Sequence, residues 1–173
     1  MSTMTMPGTE ARQSGTATGT RVRDALRPFV KTDADHGLLL VRVALGTVIL
    51  AHGAQKLLGW FDGFGVQGTI EFFASIGLPG WLALLVIASD FFGSLALIAG
   101  VLGRFAGLGA FAVMLGAVFT LHAPNGFFMN WGGLPRGEGF EFHLLAMAMA
   151  LAVVLKGSGS WSVDRVIARR QEP

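Results

Sequence analysis

In this chain of 173 residues, 52% are hydrophobic and only 14% are charged, whereas about a quarter of the residues in a soluble globular domain carry charge. The net charge of +2 is small for a nucleic-acid partner and the basic residues flank apolar blocks, so the composition favours a membrane protein in contact with the lipid bilayer. The absence of cysteine excludes disulfide bonds, thiolate nucleophiles and iron–sulfur ligation within this sequence.

The first predicted segment is a basic N-terminal tail over residues 1–35. It is rich in Ser, Thr and Gly and carries five Lys and Arg residues. Its first thirty positions hold no apolar run followed by a small-residue cleavage site, so we do not expect a cleavable signal peptide. The composition predicts a disordered tail on the cytoplasmic side of the membrane.

Four apolar blocks follow, and each is predicted to cross the bilayer as a helix. Their bounds are about 37–58, 80–102, 105–121 and 141–156. The first two reach the roughly 20 residues that a span needs, the third is near the lower limit, and the fourth is short. The prediction is an all-α integral membrane four-helix bundle over residues 37–158, followed by a cytoplasmic C-terminal tail at 159–173.

The distribution of Lys and Arg predicts the orientation of the bundle. With the N-terminus inside, the inner side holds ten basic residues, whereas the two outer loops hold only Arg136. This bias predicts a multi-pass protein of the bacterial inner membrane with both termini in the cytoplasm. Small residues at a spacing of four in the last two blocks predict close helix packing, and they leave a homo-oligomer open.

Ionisable residues inside spans are costly and therefore suggest a role. The first span carries Arg42, His52, Gln55 and Lys56, and the second carries Asp90 near its middle. At a rise of about 1.5 Å per residue, Asp90 lies at the depth of His52 and within side-chain reach of Lys56. One interpretation is purely structural, an ion pair of Asp90 with Lys56 or Arg42. Alternatively, the Arg42 side chain could extend to the inner interface.

Further polar residues are predicted at the outer mouth of the bundle. His122 and Asn125 close the third span, and Glu141 followed by His143 opens the fourth. Together with His52, Gln55, Lys56 and Asp90 they suggest a pocket for a small amphipathic redox carrier such as a quinone. A haem or metal site on the histidines is disfavoured because no ligand pair has local metal-site spacing, so no metal is predicted.

The succession of short motifs resembles the DoxX family over about residues 37–164. The motifs are Arg42 to Gly46, His52-Gly53-Ala54-Gln55-Lys56, Gly77-Leu78-Pro79, Asp90-Phe91-Phe92-Gly93, His122-Ala123-Pro124-Asn125-Gly126 and Gly157 to Asp164. The resemblance implies a four-helix inner-membrane protein linked to respiratory or sulfur redox work, with soluble redox enzymes as partners. The family pattern usually has Glu where this chain has Asp90, which places a proton relay in doubt more than it does an ion pair.

Three functions stay open at this point. The first is the membrane subunit of an oxidoreductase complex linked to quinone, sulfur or oxidative-stress chemistry. The second is a non-catalytic anchor or scaffold for soluble redox enzymes, and the third is a small-molecule permease. No catalytic residue and no intrinsic cofactor is predicted, and the lack of an internal repeat argues against a transporter.

Overall fold

The computed structural model of the chain describes residues 35–134 and 137–170. The predicted N-terminal tail, except for its last residue, lies outside the described residues, and so does Arg136. Within the described part every regular element is a helix.

Six helices make up this part of the chain. They are α1 (His36–Leu58), α2 (Gly65–Ser75), α3 (Gly80–Ala99), α4 (Gly103–Asn125), α5 (Glu141–Lys156) and α6 (Val163–Arg169). Among the described residues, α1, α3 and α4 are long and apolar enough to cross a membrane. The helix α4 exceeds the predicted 105–121 at both ends, whereas α5 has 16 residues, so its role as a fourth span stays a prediction.

The outer surface of the bundle is apolar, as a lipid-facing protein requires. In the apolar windows of α1, α3 and α4, only 39%, 28% and 17% of the residues are buried within the protein. Large side chains cover the outside of the bundle, among them Leu40, Leu85, Phe92, Phe105, Phe119 and Leu145. The predicted all-α integral membrane fold is confirmed.

A small hydrophobic core joins α1, α3, α4 and α5. It consists of Leu45, Ile49, Leu97, Ala110, Met114, Ala146, Ala150 and Val153. The alanines allow α4 and α5 to approach closely, and these two helices share an extensive contact. The polar side chains lie above and below this core.

Two glycines set the contact between α1 and α3. Gly46 and Gly53 are seven residues apart and therefore lie on one face of α1. A Cβ on Gly53 would lie 2.6 Å from the carbonyl carbon of Asp90, and a Cβ on Gly46 would lie 3.0 Å from the carbonyl oxygen of Ser94. Glycine is therefore required at both positions for the two helix backbones to come this close.

The helix α3 contains one widened π-helical turn, Ser89–Gly93, where it meets Gly53. A π turn disturbs the regular hydrogen-bond ladder of the helix. The Ser94 hydroxyl donates to the carbonyl oxygens of Asp90 at 2.5 Å and Phe91 at 2.8 Å, which ties this side chain to the turn. This turn carries Asp90 into the interior.

Candidate functional site

A buried ion pair joins the first two long helices. The Lys56 ammonium on α1 donates to Asp90 Oδ2 on α3 over 2.8 Å. The Lys56 side chain is 29% exposed, whereas that of Asp90 is only 2% exposed. The carboxylate is therefore held inside the bundle while its partner reaches it from the edge.

The carboxylate of Asp90 is only half satisfied. Its Oδ1 atom is buried and has no hydrogen-bond partner among the described residues. A buried carboxylate oxygen without a donor is costly and calls for an explanation. This atom can accept a hydrogen bond from a ligand or carry a proton.

His52 and Gln55 lie beside the pair on α1. The His52 Nδ1 atom is 3.2 Å from Gln55 Oε1, and the Gln55 amide donates to the carbonyl oxygen of Phe61 at 3.2 Å. His52 also lies close enough to Asp90 and His143 to interact electrostatically with both. The Gln55 bond ties the end of α1 to the aromatic loop that follows it.

Two further histidines meet at the same end of the bundle. The ring centroids of His122 on α4 and His143 on α5 are 4.1 Å apart, with the ring planes inclined at 41°. The His122 Nδ1 atom lies 2.9 Å from the carbonyl oxygen of Glu138, and the Asn125 amide donates to that oxygen at 3.1 Å. The imidazole pair is therefore anchored to the loop before α5.

The sequence places His143 at the outer mouth of the bundle, next to Glu141, and in the structure this histidine is buried. Its side chain is 7% exposed, and its buried Nδ1 has no hydrogen-bond partner in the described part of the chain. It lies on the inner face of α5 with Ala146, Ala150 and Val153. These four residues are three, four and three positions apart, which is the spacing of one helix face. The small-residue pattern of α5 therefore predicts that His143 lies on the same inner face.

Glu141 opens α5 two residues before His143. Its side chain is half-buried, and its backbone N–H donates to the carbonyl oxygen of Phe127 at 2.9 Å. This backbone hydrogen bond joins the start of α5 to the loop after α4. A carboxylate at this position also suits the helix dipole.

Arg42 is not paired with Asp90 in the structure, and its extension to the inner interface stays a prediction. Its side chain is fully buried at the opposite end of α1, which we call the Arg42 end. Its guanidinium donates to five backbone carbonyl oxygens, those of Leu97, Ile98, Ser158, Ser160 and Trp161. The residue is a structural clasp that joins α1, α3 and the C-terminal segment.

The C-terminal segment that holds Arg42 is itself fixed to α4. Asp164 accepts from the backbone N–H groups of Leu102 at 2.8 Å and Gly103 at 3.0 Å, and from the Ser158 hydroxyl at 2.6 Å. It therefore satisfies free donors at the start of α4. Ser162 begins α6 by accepting from the N–H of Arg165 at 3.2 Å.

Within residues 35–134 and 137–170, no group of three or more Asp, Glu or His side chains lies close enough to hold a metal ion. The imidazoles of His122 and His143 are in contact in a tilted arrangement.

The comparisons with known proteins identify a family for the chain. The DoxX family profile matches residues 37–123. The chain belongs to the DoxX family. The resemblance seen in the motifs is thereby confirmed, and the DoxX match contains His52, Gln55, Lys56, Asp90 and His122.

Two relatives of this DoxX chain cover most of its length. A Bacillus subtilis (strain 168) protein named "Putative oxidoreductase CatD" is 30% identical over 128 residues, which is 74% of this chain and 84% of the relative. The inner membrane protein YqjF of Escherichia coli (strain K12) is 26% identical over 136 residues, or 79% of this chain and 95% of the relative. No solved structure matches the chain.

Proposed function

We propose that this DoxX chain is the membrane subunit of a redox complex in the bacterial inner membrane and that it binds a quinone beside Asp90. The support is the buried Asp90 Oδ1 atom, which has no donor among the described residues although Lys56 binds the other oxygen. One relative is named as an oxidoreductase and another as an inner membrane protein, which agrees with this assignment.

The surrounding side chains suit a carrier with carbonyl oxygens. Lys56 can donate hydrogen bonds, and the His52 imidazole can donate or accept them. Asp90 can hold a proton in the interior, and His143 offers a second buried nitrogen without a partner among the described residues. A quinone bound there would supply the two-electron chemistry, which no residue of this cysteine-free chain provides.

An anchor without its own redox site is the second candidate, and one observation favours it. Gly53 packs directly on the backbone of Asp90, so the ion pair also fixes how α1 and α3 meet. A buried pair of this kind can specify helix register without any chemistry. The soluble redox enzymes of such an anchor would dock outside the bundle.

Quinone binding by the purified full chain in nanodiscs separates the two candidates. Decylubiquinone and menadione are titrated against wild type, Asp90→Asn and His52→Ala, and thermal unfolding is followed in parallel. Glu71→Gln is the matched control because Glu71 is an exposed carboxylate on α2, bonded to Gln67 at 2.9 Å. We expect wild type and Glu71→Gln to bind alike, and the two site variants to bind at least tenfold more weakly, about 1.4 kcal/mol.

Two results would reject the quinone site. If wild type binds neither quinone while the site variants lose only thermal stability, the pair is structural and the anchor is the better function. If Asp90→Asn and His52→Ala bind as tightly as Glu71→Gln, the quinone site lies elsewhere.

A further inference from the structure

A groove opens at the Arg42 end of the bundle, far from the Lys56–Asp90 pair. Its volume is about 370 Å³, and it lies between the start of α1 and the face of α6. Its lining includes His36, Trp161, Ser162, Arg165, Val166 and Arg169. None of these residues belongs to the quinone site proposed above.

The floor of the groove is rigid because Arg42 holds it. The guanidinium binds the carbonyl oxygens of Ser160 at 3.1 Å and Trp161 at 2.7 Å. Trp161 has a left-handed backbone with φ at 51°, which a bulky residue adopts only when its surroundings impose it. Its indole is 84% exposed as a result.

The wall formed by α6 is basic. Ser162, Arg165, Val166 and Arg169 lie on one helical face, which places the two guanidinium groups one turn apart. The lining of the groove includes the guanidinium groups of Arg165 and Arg169 but no carboxylate, and the neighbouring Asp164 is buried against the start of α4. The groove therefore presents positive charge.

The groove is continuous with the lipid-facing surface. Leu40 follows His36 by one turn on the same face of α1 and is 71% exposed. On α6, Val163, Val166 and Ile167 are exposed next to the arginines. An exposed indole beside basic and apolar side chains is typical of the headgroup level of a membrane.

We propose that this groove binds the headgroup of an anionic phospholipid. Arg165 and Arg169 bind the phosphate, for which the guanidinium fork is suited. Trp161 and Val166 lie against the glycerol backbone, and the acyl chains follow the exposed face of α1 at Leu40. The lipid thereby seals the point where α1, α6 and the C-terminal segment meet.

Native mass spectrometry of the purified full chain tests this site. Phosphatidylglycerol and phosphatidylcholine are added in turn to delipidated protein in detergent, and the fraction carrying lipid is measured. The test variant is Arg165→Gln/Arg169→Gln. The matched control is Lys156→Gln/Arg170→Gln, which removes the same charge from the same end of the chain at residues outside the groove.

We expect wild type and the control to prefer phosphatidylglycerol, and the test variant to bind it roughly tenfold or more weakly. Because Arg165 also contacts the Ser160 hydroxyl at 3.4 Å, Arg169→Gln alone is measured as a variant that leaves this contact intact. A smaller loss in the single variant supports the site.

Three outcomes would overturn the proposal. Equal uptake of the two lipids would remove the role of charge, and an equal loss in the control would make the effect one of general attraction to the surface. Displacement of the lipid by millimolar inorganic phosphate would identify a site for free anions rather than for a phospholipid.

Discussion

The two members of the Lys56–Asp90 pair occupy different surroundings, and this decides what a mutation of either would cost. Asp90 is enclosed by the backbone of α1 at Gly53, whereas the longer Lys56 side chain reaches inward from a half-buried position. Loss of the lysine would strand a carboxylate in the interior, which costs far more than loss of the whole pair.

We therefore predict that Lys56→Met is more harmful than Lys56→Met/Asp90→Asn. The single variant is expected to lose about 3–5 kcal/mol of stability, and the double variant should recover most of that loss. Unfolding in mixed micelles by increasing denaturing detergent provides the measurement. Additive losses in the double variant would mean that the two side chains do not stabilise each other.

Arg42 gives a second prediction at the scale of one residue. Arg42→Met keeps a shorter apolar stem but removes the guanidinium from five carbonyl oxygens, of which only that of Leu97 has a further backbone donor among the described residues, the N–H of Gly100. We expect a loss of about 3 kcal/mol or more, since each buried acceptor left unsatisfied costs about 1–3 kcal/mol. The same micelle unfolding measures it, with the exposed Arg170→Met as the control. Equal stability of the two variants would refute the clasp.

At the scale of helices, the contact of α1 with α3 depends on the absence of a side chain at Gly53. Gly53→Ala would place a methyl group 2.6 Å from the Asp90 carbonyl, so the helices must separate, and we expect a loss of about 1–3 kcal/mol. Gly116→Ala in α4 is the matched control because a Cβ there meets nothing within 4 Å. It should raise stability by up to about 1 kcal/mol through helix propensity.

Thermal unfolding of both glycine variants checks this prediction. If Gly53→Ala is as stable as Gly116→Ala, the two helices do not meet as closely as the structure places them. The formation of the Lys56–Asp90 ion pair would then not depend on close packing of α1 against α3.

The C-terminal segment marks the limit of what the sequence could predict. Apolar blocks and the depth of Asp90 depend on local composition and helical rise, and these led directly to α1, α3 and the proximity of Lys56. The clasp joins Arg42 to Ser158 across 116 positions, and its acceptors are backbone carbonyls that any residue could supply. No side-chain pattern records such acceptors, so for Arg42 the sequence suggests only an ion pair with Asp90 or an extension to the interface.

The π turn in α3 was missed for a related reason. Its position depends on the close approach of Gly53 and on the two bonds of the Ser94 hydroxyl, neither of which a hydrophobic pattern encodes. By contrast, the number of residues between histidines can be read directly from the sequence. That number alone shows whether two of them have the spacing of a local metal-ligand pair. His143 illustrates both cases, because its spacing to Ala146 can be read from the sequence whereas its ring contact with His122 cannot.

At the scale of the whole molecule, the polar residues form two separate layers along α1. Arg42 and Lys56 are 14 residues apart, which corresponds to about 21 Å of helix, and the hydrophobic core of Leu45 and Ile49 lies between them. The layer at Arg42 joins backbone segments of α1, α3 and the C-terminal segment. The layer at Lys56 contains the polar atoms of Asp90 and His143 that have no hydrogen-bond partner among the described residues. A ligand site at one end can therefore coexist with a rigid clasp at the other.

The orientation predicted from the Lys and Arg distribution assigns each polar layer to one side of the membrane. The clasp and its basic groove would face the cytoplasm, and the Lys56–Asp90 pair would lie toward the outside. The cysteine-free sequence permits a direct test, since a single introduced cysteine is the only thiol. Ser75→Cys at the end of α2 and Arg170→Cys after α6 are both exposed positions at opposite ends.

A membrane-impermeant maleimide applied to intact cells should label Ser75→Cys and leave Arg170→Cys unlabelled until the inner membrane is permeabilised. The reason is that an even number of spans places both termini on the side rich in Lys and Arg, and α5 must then cross the bilayer despite its 16 residues. Labelling of both positions in intact cells would mean that α5 does not cross and that the C-terminal clasp lies outside. Labelling of Arg170→Cys alone would mean that the bundle has the opposite orientation. The proposed quinone site would then lie toward the cytoplasmic face.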